Sequence, residues 1–195
     1  MNVLAAEDFI IGELRKKLPE SLFYHGLHHT LDVTKAAMEL AEQEGITDAR
    51  SLTLLKTAAL YHDSGFLNIY QNHEEEGCRI AKAALPGFGY SGQEIEIICG
   101  IIMTTKIPQS AQTNLEKIIC DADLDYLGRD DFEPIAETLF LELKERNLIS
   151  DLKAWNKVQI NFFKSHEYWT DSARKNRNDL KLKHLDYLMA IVDDH

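Results

Sequence analysis

Apolar residues recur at spacings of three and four along most of this chain, and this pattern limits its fold more than any other feature. Such spacings put apolar side chains on one face of a helix, whereas a half-buried β-strand needs alternation, which no stretch of useful length shows. Only four prolines interrupt the 195 residues, and 45% of the residues are apolar, which is enough for a core. We therefore expect an all-α fold, with residues 1–195 forming a single domain of about eight or nine helices.

Capping residues divide the chain into nine predicted helices. Asp48 is a candidate N-cap for the third helix. Ser91 with Glu94, and Thr113 with Glu116, have the spacing of capping boxes. The predicted helices span residues 4–18, 23–44, 48–63, 74–85, 91–103, 113–128, 132–146, 151–164 and 170–192.

The net charge, the apolar runs and the cysteines indicate which partners to expect and in which cellular compartment the protein works. A net charge of −11 argues against nucleic acid, because basic surfaces hold phosphate backbones, but it allows a small phosphorylated ligand in a locally positive pocket. No apolar run reaches about 18 residues, so no membrane-spanning helix is expected, and residues 1–12 lack the basic lead of a signal peptide. The cysteines, Cys78, Cys99 and Cys120, form no CxxC pattern and are typical of core residues in a reduced, cytoplasmic protein.

Histidines interrupt the apolar faces of two predicted helices. The pair His62–Asp63 follows directly on the apolar stripe of the third helix. On the second helix, His29 is in phase with the apolar residues that follow it, whereas His28 falls on the polar side. We therefore expect His29 and His62 to point inwards.

The acidic run of the sixth helix supplies a third inward polar position. Asp121 and Asp125 share the side of Ile118, while Asp123 faces roughly the other way. Periodicity alone does not separate Asp121 from Asp125. Taken singly, such a run is usually a solvated helix face, and a core histidine is usually satisfied by a backbone carbonyl.

The joint occurrence of these groups predicts a metal site. A buried carboxylate or imidazole without a partner is costly, and groups that converge from three helices would satisfy one another best around a divalent cation. Imidazole and carboxylate ligands suit Mn, Fe, Co, Ni or Zn, and suit Mg less well. One or two coordination positions would remain for water and substrate.

Three segments resemble the H…HD…D signature of the HD-superfamily metal-dependent phosphohydrolases. They are residues 24–33 (YHGLHHTLDV), the pair His62–Asp63, and residues 121–128 (DADLDYLG). The resemblance covers about residues 22–128. It implies an HD-type helical bundle with its core in that range and with the helices of residues 130–195 packed on it.

The resemblance also implies residue roles. The metal ligands would be His29, His62, Asp63 and Asp121, so the motif position selects Asp121 over Asp125. The implied reaction is metal-dependent hydrolysis of a small phosphoester, in which Asp63 would bridge metal and water and help to deprotonate the water.

His25 occupies the position of a catalytic acid in the cyclic-nucleotide phosphodiesterase branch, whose motif also begins Tyr-His. There the histidine protonates the leaving oxygen. Gly26 stands where that branch usually has Asn, and a structural role for His25 at a helix terminus is the alternative.

The number of histidines predicts one metal rather than two. Two-metal members of the superfamily insert two further histidines after the HD pair, and this chain offers only His73. We expect His73 to start a helix or to contact a ligand, rather than to bind metal. The residues after Asp63 lack the acidic pair of the (p)ppGpp hydrolases and the marks of the HD-GYP branch, which leaves a nucleotide phosphatase or a cyclic-nucleotide phosphodiesterase.

Four basic residues are candidates for binding the phosphate of a substrate. A phosphate needs nearby cations, and the candidates are Lys106, Arg129, Arg174 and Arg177. Each could instead be a solvated charge on a helix surface.

Helices seven to nine could form the surface of a homodimer. A second hypothesis from a different class is a metal- or nucleotide-binding sensor or interaction module of the same fold without hydrolytic activity.

Overall fold

A computed structural model describes residues 1–193, and all regular structure within that range is helical. The predicted all-α class is therefore confirmed. The described residues form nine α-helices: α1 (Val3–Lys17), α2 (Leu27–Gln43), α3 (Ala49–Tyr61), α4 (His73–Ala84), α5 (Gly92–Thr104), α6 (Asn114–Asp123), α7 (Phe132–Glu145), α8 (Leu152–Ser165) and α9 (Asp171–Asp193). Short 3-10 turns lie at Ser64–Leu67, Leu85–Phe88 and Asp125–Gly128.

Side-chain caps fix the starts of α3, α5 and α6, as the sequence predicts. The Asp48 carboxylate accepts a hydrogen bond from the Ser51 N–H at 2.8 Å. Ser91 and Thr113 each form a complete capping box with the glutamate three residues later. These caps satisfy backbone donors that have no partner within the helix.

Two helix boundaries differ from the prediction in ways that matter for function. α2 begins at Leu27, and the segment before it is held as a turn because the N–H groups of Tyr24 and His25 donate to Glu142 on α7, at 2.9 and 3.0 Å. α6 ends at Asp123, and a separate 3-10 turn continues to Gly128. His25 and Asp123 therefore lie at helix ends, where side chains can project towards a site.

Two apolar clusters hold the helices together. The larger cluster is formed by α1 to α6 and includes the fully buried side chains of Ile10, Leu55 and Ile102. The smaller cluster joins α7, α8 and α9 to the turn after α6, through residues such as Leu127, Phe132, Phe163 and Leu188. Burial of this apolar surface is the main contribution that stabilises the fold.

Close helix contacts fix the segments that flank the predicted site. α2 packs against both α3 and α6, and α9 packs on the 3-10 turn Asp125–Gly128. A Cβ atom on Gly128 would lie 2.4 Å from the Arg177 carbonyl oxygen, so only glycine allows α9 to approach this closely. A Cβ atom on Gly65 would lie 1.9 Å from the His73 carbonyl oxygen, so the turn after His62–Asp63 lies directly on the start of α4.

Two further expectations can be compared with the described part of the chain. Within residues 1–193, no helix is both long and apolar enough to cross a membrane. Cys78, Cys99 and Cys120 are buried free thiols, as expected of core residues.

Candidate metal centre and adjoining cavity

Three helices bring two histidines and an aspartate together in the interior. His29 comes from α2, His62 follows the last residue of α3, and Asp123 is the last residue of α6. One ligand atom from each lies within 4.8 Å of the others. The Asp123 carboxylate lies 3.1 Å from His29 Nε2 and 3.5 Å from His62 Nε2. This spacing is short enough for one metal ion to reach all three.

Asp63 also contacts both histidines of this cluster. Its Oδ2 atom lies 3.4 Å from His29 Nε2 and 3.3 Å from His62 Nε2. The four side chains supply two imidazoles and two carboxylates, the ligand types that the sequence predicts.

Two atoms of the cluster are buried without a hydrogen-bond partner: His62 Nε2 and Asp63 Oδ2. His62 Nδ1 donates to the Ala59 carbonyl oxygen at 2.8 Å, so Nε2 is the ring nitrogen that faces the cluster. Buried polar atoms without partners are rare and costly. A divalent cation would satisfy both atoms, so the residues present fit a metal site.

The charges in the cluster shift its pKa values strongly. Burial alone would lower the pKa of His62, but Asp63 and Asp123 outweigh it and raise that pKa well above its usual value. Burial would likewise raise the pKa of Asp63 and of Asp123, but the neighbouring histidines lower both. Both carboxylates are therefore ionised at neutral pH and attract a cation.

The structure corrects the predicted fourth ligand, because Asp121 does not face the cluster. Its carboxylate accepts hydrogen bonds from the Trp169 N–H at 2.7 Å, the Thr170 N–H at 2.8 Å and the Thr170 hydroxyl at 2.7 Å. Burial raises the pKa of Asp121 to about 6 despite these hydrogen bonds. Asp121 thus anchors the start of α9, and Asp123 takes the place by the histidines.

His25 lies beside the cluster and is held by a buried glutamate. His25 Nδ1 lies 2.6 Å from Glu142 Oε1, and the same carboxylate accepts the N–H groups of Tyr24 and His25 and the hydroxyl of Tyr70. Burial alone would raise the pKa of Glu142, but its bonds to His25 and Tyr24 lower that pKa to about 2. Glu142 therefore stays charged and orients the His25 ring.

His73 contacts a predicted ligand, as expected, and starts α4. Its Nε2 atom lies 3.4 Å from Asp63 Oδ1, and its ring stacks on Phe66 with centroids 3.9 Å apart. Burial would lower the pKa of His73, but Asp63 outweighs it and raises that pKa. His73 therefore orients the Asp63 carboxylate.

A cavity of about 360 Å³ opens next to the cluster. Its titratable lining residues include His25, Asp63, His73, Glu74 and Asp123. The rest of the wall is mainly apolar and aromatic, with contributions from Tyr24, Tyr126, Leu127, Leu139, Leu143, Trp155 and Phe162. This volume falls in the range of small-molecule sites.

Two of the predicted phosphate-binding cations form ion pairs with acidic side chains, and neither belongs to the described lining of this cavity. Lys106 bonds Glu75 at 2.6 Å and Asn72 at 3.0 Å. Arg129 bonds Asp32 at 2.7 Å and also pairs with Asp131. Both side chains stabilise contacts between segments of the fold.

The other two predicted cations lie on α9. Arg174 donates to the Tyr168 carbonyl oxygen at 2.8 Å and to Asp171 at 3.0 Å. Arg177 bonds Asp125 through two nitrogens, at 2.7 and 3.0 Å. Neither belongs to the described cavity lining, so the structure does not bring the predicted cation set to the metal cluster.

Comparison with known proteins identifies the family. The sequence profile of the HD domain matches residues 26–125, just over half of the chain. The chain belongs to the HD domain family. No curated protein sequence matches this HD-domain protein.

Solved structures share the fold along nearly the whole chain. YpgQ of Bacillus subtilis superposes with a TM-score of 0.67 and 19% identity over 100% of this chain and 97% of that one. YpgQ in complex with ADP gives 0.65 and 17%, over 98% and 97%. A protein described as a predicted HD superfamily hydrolase, from an uncultured Thermotogales bacterium, gives 0.58 and 20%, over 96% and 91%.

The two aspartates of α6 can be separated by substitution. Asp123→Asn should reduce the bound metal of purified protein to less than about a tenth, because a carboxylate is lost from the cluster. Asp121→Asn should keep the metal but lower the free energy of unfolding by about 1–3 kcal/mol, because the hydrogen bonds to Trp169 and Thr170 are weakened. Metal analysis and urea unfolding measure the two effects.

The reverse outcome would restore the sequence-based assignment. If Asp121→Asn removed the metal from a folded protein while Asp123→Asn retained it, Asp121 would be the ligand. Circular dichroism of both variants controls for loss of helix.

Proposed function

We propose that this HD-domain protein is a metal-dependent hydrolase that cleaves a small phosphoester. The observation that carries the proposal is the pair of unpartnered buried atoms, His62 Nε2 and Asp63 Oδ2, in a cluster that adjoins a small-molecule cavity. Membership of the HD domain family supports the same reaction class.

His29, His62, Asp63 and Asp123 would hold one divalent ion. The mixture of imidazoles and carboxylates suits Mn, Fe, Co, Ni or Zn, and Mg less well. Such an ion lowers the pKa of a bound water towards about 7 and polarises a phosphoryl oxygen.

Asp63 has the position to act on the attacking water. One carboxylate oxygen faces the two histidines, and the other faces His73 at 3.4 Å. The carboxylate also lines the cavity, so it can accept a proton from water that enters beside the substrate. His73 keeps the carboxylate in this orientation.

His25 has the position of a proton donor to the leaving group. Because Nδ1 is engaged by Glu142, the Nε2 edge of the ring is the one that remains for the substrate. As the phosphorus–oxygen bond breaks, His25 would give its Nε2 proton to the leaving oxygen and return to the neutral form. The Glu142 carboxylate holds the ring through Nδ1, 2.6 Å away, and so fixes the direction of the Nε2 edge.

A nucleotide is the proposed substrate, either a phosphomonoester or a cyclic phosphodiester. Tyr24, Tyr126 and Trp155 offer aromatic surface in the cavity wall on which a base could stack. The structural neighbour YpgQ forms a complex with ADP, which is consistent with a nucleotide site on this fold.

A non-hydrolytic metal or nucleotide sensor is the second candidate. It is favoured by the absence of lysine and arginine from the described cavity lining, since phosphoryl-transfer sites commonly use such cations. Binding of metal and nucleotide without turnover would favour the sensor.

The hydrolase proposal predicts matched effects of neighbouring histidines. His29→Ala and His62→Ala should each remove the metal and lower phosphoester hydrolysis by more than about 100-fold. His28→Ala is the control, because His28 is the exposed neighbour of His29. The assay combines elemental analysis with a panel of nucleotides, cyclic nucleotides and aryl phosphates, supplied with Mn²⁺, Co²⁺, Ni²⁺, Fe²⁺, Zn²⁺ or Mg²⁺. Full activity in either cluster variant, or no hydrolysis by the metal-loaded wild type across the panel, would contradict the proposal.

The acid role of His25 predicts a loss in turnover without a loss of metal. His25→Ala should lower kcat by about 10²–10⁴-fold, because the leaving oxygen loses its proton donor. The loss should be smaller for substrates whose leaving group is a weak base, such as p-nitrophenol. Equal losses for weakly and strongly basic leaving groups would show that His25 has a structural role instead.

A further inference from the structure

A second cavity lies between α8 and α9, and its volume is about 410 Å³. This volume falls in the range of small-molecule sites. Its lining comes from α8, from α9 and from the segment that joins them, and it shares only Phe163 with the described lining of the first cavity. None of the four cluster residues lines it. A ligand in this cavity would therefore bind independently of the proposed hydrolase reaction.

Basic side chains outnumber acidic ones in this second cavity. Lys164, Arg174 and Lys181 line it, together with one acidic residue, Glu167. Arg174 also pairs with Asp171 at 3.0 Å, but the Asp171 side chain is 95% exposed and water weakens that pairing. The chain as a whole carries a net charge of −11, so this local excess of positive charge favours an anionic ligand.

The cations of α9 lie on one face of the helix. Arg174, Asn178 and Lys181 follow one another at spacings of four and three, and all three line the cavity. Arg174 Nε donates to the Tyr168 carbonyl oxygen at 2.8 Å, and the Lys181 ammonium donates to the His166 carbonyl oxygen. The segment before α9 thus holds both charged groups at the same cavity.

Lys181 is buried without an acidic partner. The residue is 6% exposed, and besides the His166 carbonyl oxygen its ammonium lies 5.5 Å from the centre of the Tyr168 ring. Within residues 1–193 it forms no ion pair with a carboxylate, and burial lowers its pKa, although Glu167 acts in the opposite direction. A buried charge without a counter-charge is costly, and a bound anion would supply one.

His166 is a second buried group without a partner. It is 8% exposed, and neither of its ring nitrogens has a hydrogen-bond partner. The ring stacks on Phe162 and meets the Tyr168 ring edge-on, so aromatic packing holds it in place at the cavity. Burial, together with the neighbouring Lys181, lowers the pKa of His166 to about 3. The neutral ring has one N–H donor, which an oxyanion can accept.

We propose that this second cavity binds a small molecule through an oxyanion group, either a phosphate or a carboxylate. Lys181 and Arg174 would provide the counter-charge, and His166 would donate a hydrogen bond. Phe163, Leu182 and Leu185, which also line the cavity, would contact an apolar part of the ligand.

Calorimetric titration of the full chain with inorganic phosphate and with succinate tests the proposal, and the two probes distinguish the two kinds of oxyanion. At least one probe should bind with a Kd below about 5 mM, and Lys181→Met should weaken that binding at least about tenfold. Lys183→Met is the matched control, because Lys183 is an exposed residue of α9 outside the cavity lining. It should keep the wild-type affinity.

A second pair of variants covers the case in which Lys181→Met fails to fold. Arg174→Gln changes a half-exposed side chain and should also weaken binding at least about tenfold. Lys175→Gln, at an exposed neighbour outside the lining, should not weaken it. Circular dichroism checks the helix content of all four variants.

Phosphate could also bind a metal ion at the cluster, and the variants separate the two sites. A loss of binding in Lys181→Met and Arg174→Gln, at unchanged metal content, would support the second site whether or not the protein hydrolyses phosphoesters. Equal affinities in each variant and its control would overturn the proposal, as would no binding of either probe up to about 50 mM. Neither of these results would bear on the hydrolase.

Discussion

The site depends on a cluster of imidazoles and carboxylates buried where three helices meet. Removing such groups from water is costly, so each needs a partner, and the chain provides partners on several sides. His62 donates to a carbonyl of its own helix, His73 faces Asp63, and Asp123 faces both histidines. Two buried atoms of this cluster, His62 Nε2 and Asp63 Oδ2, have no hydrogen-bond partner, and a cation at the cluster would contact both.

Two further buried carboxylates connect the C-terminal helices to this cluster. Asp121 lies two residues before Asp123 on α6. Its carboxylate accepts hydrogen bonds from the backbone N–H groups just before α9. Glu142 on α7 accepts the backbone and side chain of His25, just before α2. The C-terminal part of the chain therefore does more than cover the core. It holds α6 through Asp121, and it holds the turn before α2 through Glu142. They also supply the apolar wall of the cavity.

Much of this arrangement could be predicted from the sequence, where a local rule decides the outcome. The phase of α2 distinguishes the buried His29 from the exposed His28, and the capping boxes of α5 and α6 lie where their spacing predicts. The prediction of Asp121 as a ligand failed. Periodicity left Asp121 and Asp125 as the inward candidates and turned Asp123 away, and the motif position then selected Asp121, whereas α6 is buried on two sides. Periodicity assumes one inward face and cannot separate two carboxylates that both point inwards, one to α9 and one to the histidines.

Contacts between distant parts of the chain lie beyond such local rules. In the sequence, Glu142 is indistinguishable from the other charged residues of α7. Only the fold brings it to His25, which lies 117 residues earlier in the chain. The cations predicted for substrate binding are likewise held by contacts within the protein: Arg177, for example, bonds Asp125, 52 residues earlier. Sequence reasoning thus gives the fold class and three of the four cluster residues, whereas Asp123 and the cavity come from tertiary packing.

The central claim is that His29, His62, Asp63 and Asp123 bind one divalent ion. The most direct test is anomalous diffraction at the manganese edge from crystals of the full chain grown with Mn²⁺. We predict a single strong peak within about 2.5 Å of ligand atoms from all four residues, with Asp121 still bonded to the start of α9. A peak coordinated by Asp121, or no peak at this cluster in protein that binds manganese in solution, would contradict the account.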